Sequence, residues 1–326
     1  MRAVWYDRQG PATEVLQVGE LPDPHPGVGE LRVRLRYSGI NPGDTKKRRG
    51  CLGSSMPYPR VIPHSDGAGT VDEVGPGVNP DRVGRRVWVH GAQSYRAFGT
   101  AADYTVIPEH LAVDLPDEVD DETGACLGIP GITAHQAVFA DGPIDGGTVL
   151  VHGALGAVGS LAAQLAAWGG ATVITTVRRT PDLALLTRAA AGRAVALDVA
   201  DPATAIRAHA PEGVDRIVEV AFSDNVDLDA AVAKNGAVIA AYATRTDRPD
   251  FPFWPMLFDN VTIRLLGSDD FPAEAKQQAA ADLTTAARSG QLTVTRATPL
   301  PLDQAAAAHE QVDADNRRRV LLTIPA

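Results

Sequence analysis

The chain is poor in cysteine and has no long apolar run. Its 326 residues include only two cysteines, Cys51 and Cys126, too few for a disulfide framework or for a structural zinc lobe with four sulfur ligands. No apolar run approaches the roughly 18 residues that a membrane-spanning helix requires, so we expect no membrane insertion. Residues 1–6 begin a strand-like pattern and lack the segments of a signal peptide, which predicts a cytoplasmic protein.

Positive charge is also scarce. Forty acidic residues against thirty basic ones give a formal net charge of −10, which repels phosphate backbones and argues against nucleic acid as a partner. A short basic cluster, residues 317–319, precedes the last strand-like run and is interpreted as a solvated turn without a function. Apolar residues at 44% and charged residues at 21% are ordinary for a globular protein, and the length favours two domains.

The pattern of the sequence changes along the chain. The first third consists of short β-like runs separated by turn residues, such as LRVRLRYSGI from Leu31, which is typical of an all-β unit. From Asp120 to about residue 265, strand-like and helix-like patterns alternate. This alternation predicts a parallel sheet with helices on both faces.

The last segment has a helix-like stretch from Ala273 to about Ser289 and a β-like tail. It is too short for a domain of its own, so we expect it to return to the first domain. We therefore predict an α/β protein whose first domain comprises residues 1–121, completed by 268–326, and whose doubly wound second domain comprises residues 122–267.

The strongest motif is a glycine-rich turn in TVLVHGALGAVGSLAAQLAAWGG, between a buried strand and a helix. Gly153, Gly156 and Gly159 are spaced as G-x-x-G-x-x-G. A dinucleotide pyrophosphate needs backbone N–H groups at a helix N-terminus and no Cβ in its way, which explains glycine here. Ala154 stands where the commoner fingerprint has its second glycine, so the isolated pattern also fits a plain glycine-rich turn. The surrounding strand and helix favour dinucleotide binding.

The next strand ends in TTVRRT, which includes Thr176. A site specific for NAD normally places Asp or Glu about 20 residues beyond the glycine turn, to hold the ribose 2′-hydroxyl. Arg178 and Arg179 stand in that neighbourhood instead, and guanidinium groups match a 2′-phosphate in charge and in donor geometry. The pair predicts NADPH as the cofactor, with a solvated turn as the alternative.

Seven segments together identify a family resemblance that covers nearly the whole chain. They are MRAVWYDRQGPATEVLQV, SGINPGDTKKRRG, VIPHSDGAGTVDEVGPGV, FGTAADYTVIP, GACLGIPGITAHQAV, VLVHGALGAVGSLAAQLAAWGGATVI and RRVLLTI. The chain resembles the medium-chain dehydrogenase/reductase superfamily and, within it, the zinc-free quinone oxidoreductase or zeta-crystallin-like group. The resemblance implies a GroES-like β-barrel catalytic domain, a Rossmann domain that binds NADPH, and a homodimer formed through the Rossmann domains.

The resemblance also implies positions for the cofactor. Asn41 and Thr133 would lie beside the nicotinamide, and Asn225 near a ribose or its phosphate. Together with the glycine turn and the arginine pair, the remaining expected cofactor-binding residues are Gly153, Leu155, Gly156, Ala157, Val158, Gly159, Thr176, Arg178, Arg179, Tyr242, Ala243, Thr244, Gly267 and Ser268.

The same resemblance argues against a catalytic metal. Zinc alcohol dehydrogenases of the superfamily carry a cysteine where this chain has Asn41, and their structural zinc lobe has no counterpart here. His64 alone resembles a metal-ligand position, whereas catalytic zinc normally takes three protein ligands. We therefore expect no metal site and an ordinary polar role for His64.

Without a metal, conjugated acceptors are the favoured substrates, because hydride addition to them spreads negative charge into an enolate that hydrogen-bond donors can stabilise. The expected function is zinc-independent, NADPH-dependent reduction of a small quinone or α,β-unsaturated carbonyl compound. One alternative is an enoyl-thioester or biosynthetic double-bond reductase. The other is a non-catalytic, nucleotide-bound or RNA-binding protein of the crystallin type.

The expected catalytic residues are Asn41, Asp44 and Lys46, all in SGINPGDTKKRRG. Lys46 stands where many members of the family have a tyrosine proposed to protonate or position the substrate. An ammonium group there could donate a hydrogen bond or a proton to the developing enolate. The alternative is a surface lysine, with solvent as the proton source. Asp44 would either orient a lysine or bind only the local backbone.

Overall fold

The structure, a computed structural model, describes residues 1–51, 55–187, 190, 192–314 and 317–325. The chain divides into two compact units, Met1–Pro130 with Val294–Ala326, and Gly131–Thr293. Among the described residues, no helix is long and apolar enough to cross a membrane.

The first unit is built on a mainly antiparallel sheet. Its elements are β1 (Arg2–Trp5), α1 (Ala12–Val15), β2 (Gln17–Glu20), β3 (Glu30–Ile40), α2 (Pro42–Arg49), β4 (Asp66–Val74), β5 (Arg86–Val89), β6 (Tyr104–Pro108), β7 (Ala112–Asp114), β14 (Leu300–Pro301), α9 (Ala305–Asp313) and β15 (Val320–Thr323). In the described part of the chain the strand order is β14-β15-β3-β4-β5-β7, and β6 also pairs with β3. Leu31, Val33 and Leu35 of β3 are buried and alternate with arginines, so the period of two points one face of the strand into the core.

The second unit is a parallel sheet with intervening helices. Its elements are β8 (Thr148–Val151), α4 (Ala157–Trp168), β9 (Thr172–Val177), β10 (Ala194–Ala196), α5 (Pro202–Arg207), β11 (Val214–Glu219), α6 (Phe222–Val232), β12 (Ala233–Ala241), α7 (Phe253–Phe258), β13 (Thr262–Leu265) and α8 (Ala273–Arg288). The described strands follow the order β10-β9-β8-β11-β12-β13, and all their pairings are parallel. This is the order of a doubly wound sheet, with the change of direction between β8 and β11, as the alternating sequence predicts.

The compact units divide the chain at other positions than the predicted domain boundaries. The helix α3 (Asp121–Phe139) contains the division, and its backbone is not helical at Gly128. Residues 268–293, which we assigned to the first domain, lie in the second unit. The reason is that α8 contacts the start of that unit, where Nε2 of His135 lies 2.8 Å from Oδ2 of Asp282.

Candidate cofactor and active site

The turn between β8 and α4 has the shape of a pyrophosphate cradle. Gly156 caps α4, and its N–H donates to the carbonyl oxygen of Gly153 at 2.8 Å. Gly153 has a φ of 67°, in the left-handed region that favours glycine. A Cβ atom on Gly159 would lie 2.3 Å from the carbonyl oxygen of Gly153, so only glycine lets the helix approach the turn this closely. By helix geometry, the N–H groups of Ala157 and Val158 find no acceptor within α4 and suit phosphate oxygens.

The other predicted cofactor-binding residues of the second unit follow the carboxyl ends of its strands, except Thr133, which is buried in α3. They are Leu155 after β8, Thr176 in β9 with Arg178 and Arg179 after it, Asn225 in α6 after β11, Tyr242, Ala243 and Thr244 after β12, and Gly267 and Ser268 after β13. The carboxyl ends of parallel strands share one edge of a sheet, and ligands of doubly wound sheets bind at that edge. The structure therefore brings these residues to the edge that a dinucleotide requires.

Arg178 and Arg179 directly follow β9, and both are exposed. Nε of Arg179 lies 3.8 Å from Oδ2 of Asp182, and the arginine side chain is 68% exposed. The carboxylate of Asp182 is only 6% exposed, but the contact is long and the guanidinium end lies in solvent, so the guanidinium is accessible to a phosphate. The pair is therefore suited to a cofactor 2′-phosphate.

The predicted cofactor-binding side chains of Thr176 and Asn225 are buried and hydrogen-bond to other buried protein groups. Oγ1 of the fully buried Thr176 lies 2.8 Å from Nδ1 of His152. The hydroxyl of Thr176 therefore faces the interior, and its carbonyl oxygen supports the glycine turn by accepting the N–H of Ala154 at 3.1 Å. Asn225 is buried, and its Nδ2 donates to both carboxylate oxygens of Glu219 at 3.1 Å.

His152, Glu219 and Asp229 form a buried charged cluster that sequence reasoning missed. Nε2 of His152 lies 3.0 Å from Oδ1 of Asp229 and 3.6 Å from Oε2 of Glu219. Burial alone would lower the pKa of His152, but the hydrogen bond to Asp229 and the charges of both carboxylates outweigh burial and raise it. Burial raises the pKa of Glu219 to about 7, although the charge of His152 opposes this. The sequence contained a signal for two members of this cluster, because a polar residue stands near the end of each of two apolar strands. These residues are His152 in VLVHG and Glu219 in RIVEVA.

In the first unit, Asn41 caps α2 and is held by a buried ion pair. Its Nδ2 donates to Oδ2 of Asp66 at 2.8 Å, and its Oδ1 accepts from Nη1 of Arg319 at 2.5 Å. Nη2 of Arg319 donates to the same oxygen of Asp66 at 2.7 Å. Because arginine only donates and an ionised carboxylate only accepts, the amide of Asn41 has one orientation.

The burial of Arg319 corrects the interpretation of residues 317–319 as a solvated turn. Arg319 directly precedes β15, and the first residue of that strand, Val320, pairs with Ile40 of β3. This pairing brings the guanidinium beside Asn41. A sequence pattern of three consecutive arginines gives no indication of which one enters the sheet.

The other two predicted catalytic residues also lie on α2. The carboxylate of Asp44 is buried and accepts the backbone N–H of Asn41 at 2.7 Å, so its observed partner is the local backbone. Burial raises the pKa of Asp44 to about 7, the bond from Asn41 opposes this, and the charge of Asp66 adds to it. Lys46 is half-buried in the last turn of α2, where a positive charge complements the helix dipole.

Both ring nitrogens of His64 are in hydrogen bonds. Nδ1 lies 2.8 Å from Oγ of Ser38, and Nε2 lies 2.8 Å from Nε2 of His309. The side chain is fully buried, and burial, together with the neighbouring ring of His309 and the charge of Arg319, lowers its pKa well below the ordinary value. These contacts leave His64 no nitrogen for a metal. Within the described residues, the one group of three side chains able to hold a metal ion is the charged cluster of the second unit.

Comparisons with known proteins agree with this architecture. Residues 27–117 match the family model of the alcohol dehydrogenase GroES-like domain, and residues 157–282 match that of the zinc-binding dehydrogenases. The quinone oxidoreductase of Rattus norvegicus is 30% identical over 319 residues, which cover 96% of this chain and 94% of the relative. That of Homo sapiens is 28% identical over 316 residues, with the same coverage.

Solved structures give the same assignment. A mycobacterial quinone oxidoreductase has a TM-score of 0.87 at 27% identity and covers 99% of this chain and 100% of its own. A mycobacterial protein complexed with NADPH has a TM-score of 0.84 at 27% identity, with the same coverage. The predicted fold, a GroES-like domain and a Rossmann-type doubly wound domain, is thereby confirmed. The chain belongs to the quinone oxidoreductase family of the medium-chain dehydrogenase/reductase superfamily.

Proposed function

We propose that the protein is a cytoplasmic, NADPH-dependent reductase that transfers hydride to a quinone or an α,β-unsaturated carbonyl compound. The observation that carries the proposal is the glycine turn at the N-terminus of α4, followed at the end of β9 by Arg178 and Arg179. The turn fits a pyrophosphate and the exposed arginines fit a 2′-phosphate. The names of the quinone oxidoreductase relatives, and the NADPH complex of the mycobacterial protein, support the same activity.

The residues of the first unit would act at the reacting end. NADPH, when bound, supplies the hydride. We assign Asn41, whose amide is fixed by Asp66 and Arg319, to contact with the nicotinamide. Lys46 would donate to the substrate oxygen on which negative charge develops, and Asp44 would hold the first turn of α2 in place.

The proposed reaction does not depend on a metal. Asn41 hydrogen-bonds to Asp66 and Arg319. The carboxylate of Asp66 could attract a cation, but it already has the guanidinium of Arg319 at 2.7 Å. The fixed positive charge of this guanidinium opposes metal binding beside Asn41. Stoichiometric zinc in the purified protein, removed together with activity by a chelator, would contradict this part of the proposal.

The test of the function is the rate of NADPH oxidation by the purified protein over panels of quinones, enones and enoyl thioesters. We expect turnover with quinones or enones and a preference for NADPH over NADH. Highest kcat/KM values with enoyl thioesters would assign the protein to double-bond reduction instead. Binding of NADPH without turnover on any panel would favour the non-catalytic alternative.

We also propose a homodimer formed through β13, the outer strand of the second unit as described. The preceding helix α7 leaves Phe253, Trp254 and Phe258 exposed, and Leu265 of β13 is exposed as well. An apolar patch with an unpaired sheet edge fits a second copy of the chain. Light scattering should give a dimer for the unmodified protein and a monomer for Leu265→Arg. A monomeric unmodified protein would contradict the proposal.

A further inference from the structure

Stability alone does not explain why the second unit has a buried charged cluster. The side chains of His152, Glu219 and Asp229 are at most 1% exposed. Buried ion clusters are often no more stabilising than apolar residues of similar volume, because desolvation offsets the attraction. In addition, Oδ2 of Asp229 has no hydrogen-bond partner among the described residues. We therefore looked at which neighbouring segments the cluster contacts.

Glu219 connects the cluster to segments that we assign to the cofactor. It ends β11, and its carboxylate accepts the N–H of Ala221, which caps α6, and Nδ2 of Asn225. The carbonyl oxygen of Glu219 accepts the N–H of Tyr242, just after β12. One residue thus holds the carboxyl ends of two neighbouring strands.

His152 connects the same cluster to the glycine turn. It directly precedes Gly153, and its Nδ1 lies 2.8 Å from Oγ1 of Thr176 in β9. Its Nε2 faces Asp229 of α6 and the carboxylate of Glu219. The positive charge of His152 therefore lies between two carboxylates, and it keeps the carboxylate of Glu219 next to α6.

We propose that Glu219 is a positioning residue for the dinucleotide, whose carboxylate fixes the amide of Asn225 so that Oδ1 receives a ribose hydroxyl. Nδ2 of Asn225 faces both oxygens of Glu219 at 3.1 Å, so Oδ1 is directed away from the carboxylate. A carbonyl oxygen only accepts, so it pairs with a hydroxyl and repels an ionised phosphate oxygen. The inference rests on the proposed function and decides between the two partners expected for Asn225, in favour of the ribose.

The protonation state of Glu219 should control this orientation. Burial raises its pKa to about 7, with the charge of His152 opposing and that of Asp229 adding to the rise. The titratable groups that face it are His152 from the turn after β8, Asp229 from α6, and Tyr242 after β12, whose own pKa burial and Glu219 raise. Protonation weakens the carboxylate as an acceptor, so cofactor affinity should fall as the pH falls through about 7.

The test is a double-mutant cycle on NADPH affinity with Glu219→Gln, Asn225→Ala and the combined variant. We expect each single substitution to raise the dissociation constant for NADPH about tenfold. The double variant should bind NADPH as tightly as the single variant with the higher dissociation constant, because both substitutions remove the same contact. Turnover at saturating NADPH should change less than about threefold, as for a residue that acts on binding.

Asp215→Asn is the matched control. Asp215 lies near the amino end of β11, the strand that Glu219 ends, and its carboxylate likewise accepts a backbone N–H, from Thr148 at 2.8 Å. This substitution should leave the NADPH dissociation constant unchanged. Multiplicative effects in the double variant, or an equal effect of Asp215→Asn, would overturn the positioning role and leave the proposed function intact. Failure of the unmodified protein to bind NADPH would instead overturn the proposed function.

The unmodified protein provides a second test that does not depend on the folding of Glu219→Gln. The dissociation constant of NADH should rise as the pH is lowered from about 8 to about 6, because Glu219 becomes protonated in this range. NADH is the suitable probe because a phosphate monoester such as that of NADPH itself titrates at about pH 6. A dissociation constant independent of pH over this interval would overturn the inference.

Discussion

The pKa of two buried histidines in the first unit, His64 and His309, is lowered, whereas that of the buried His152 in the second unit is raised. Nε2 of His64 and Nε2 of His309 lie 2.8 Å apart in the first unit, whereas His152 of the second unit faces two carboxylates. Burial lowers the pKa of His309 to about 3, and the charge of Arg48 adds to this, while the carboxylates raise the pKa of His152. These three histidines are buried alike, so the partners make the difference: two buried carboxylates outweigh burial at His152, whereas the single, partly exposed carboxylate of Asp282 does not outweigh it at the buried His135.

The neutral pair belongs to a hydrogen-bond chain with a fixed direction. Nε of Arg48 donates to Nδ1 of His309 at 3.3 Å, and arginine can only donate. His309 therefore carries its proton on Nε2 and donates to His64. The chain continues from Nδ1 of His64 through the hydroxyls of Ser38 and Thr100 to the carbonyl oxygen of Asp66. Every donor in it has an acceptor, so this network suits a structural role, whereas the charged cluster lies where strands end, at the edge that we propose for the cofactor.

The largest expected effect concerns the ion pair at the end of the neutral chain. Arg319→Met leaves the carboxylate of Asp66 buried without its cation. We expect the free energy of unfolding to fall by about 3–5 kcal/mol, measured by urea denaturation. The double variant Asp66→Asn/Arg319→Met should regain much of this loss, because no uncompensated charge remains. A loss below about 1 kcal/mol in the single variant would show that the pair is not desolvated.

The second prediction contrasts the buried charges of the second unit with the exposed ones at the same sheet edge. Arg178→Ala/Arg179→Ala should remove most of the preference for NADPH, since charge-assisted hydrogen bonds contribute about 1.5–3 kcal/mol each before coupling. Titration with both cofactors measures this. Affinity for NADH, which lacks the 2′-phosphate, serves as the control and should stay nearly constant. Equal affinity of the unmodified protein for the two cofactors would remove the argument.

The third prediction tests the difference between the two kinds of histidine through pH. His309 has a lowered pKa, so its contribution to stability is present above the ordinary pKa of about 6.5 and is lost as the pH falls towards about 3. His309→Gln should therefore cost about 1–3 kcal/mol at pH 7, and the difference from the unmodified protein should shrink as the pH is lowered.

His152 should behave in the opposite way. Its pKa is raised, so its contribution to stability is fully present below about 6.5 and is lost only as the pH rises through the raised value. The cost of His152→Gln should therefore persist at pH 5, where that of His309→Gln has decreased. Urea unfolding of both variants between pH 4 and pH 8 measures the two profiles. Parallel profiles would refute the comparison.

The smallest expected effect concerns Lys46 of α2, which differs in burial from Arg48 on the same helix. Arg48 is fully buried and paired with Asp313 at 2.7 Å, while Lys46 is half-buried. Lys46→Met should lower turnover on an enone at least about tenfold, or about 1.4 kcal/mol in the barrier, with NADPH affinity nearly unchanged. Lys47→Met, the neighbouring substitution, is the control and should have no effect. Unchanged turnover of Lys46→Met, with hydride transfer shown to be rate-limiting by a deuterated cofactor, would return Lys46 to a solvated role.

Much of the fold could be predicted from local patterns. The alternation of strand-like and helix-like runs predicted a doubly wound sheet, and the glycine spacing located the turn before α4. The assignment of residues 268–293 to the first domain differs from the observed units, because a helical pattern does not show which unit its apolar face packs against.

The amino-acid sequence by itself determined the features that depend on neighbouring residues: strands and helices, the glycine turn, and the arginine pair that follows β9. Only the tertiary structure decided which polar groups meet. Asp66 and Arg319 are 253 residues apart, and His152 and Asp229 are 77 apart, yet each pair is in hydrogen-bond contact. Strand order and register create these contacts, and the contacts influence charge state and side-chain orientation, because charges and hydrogen bonds act with little screening by solvent in a buried environment.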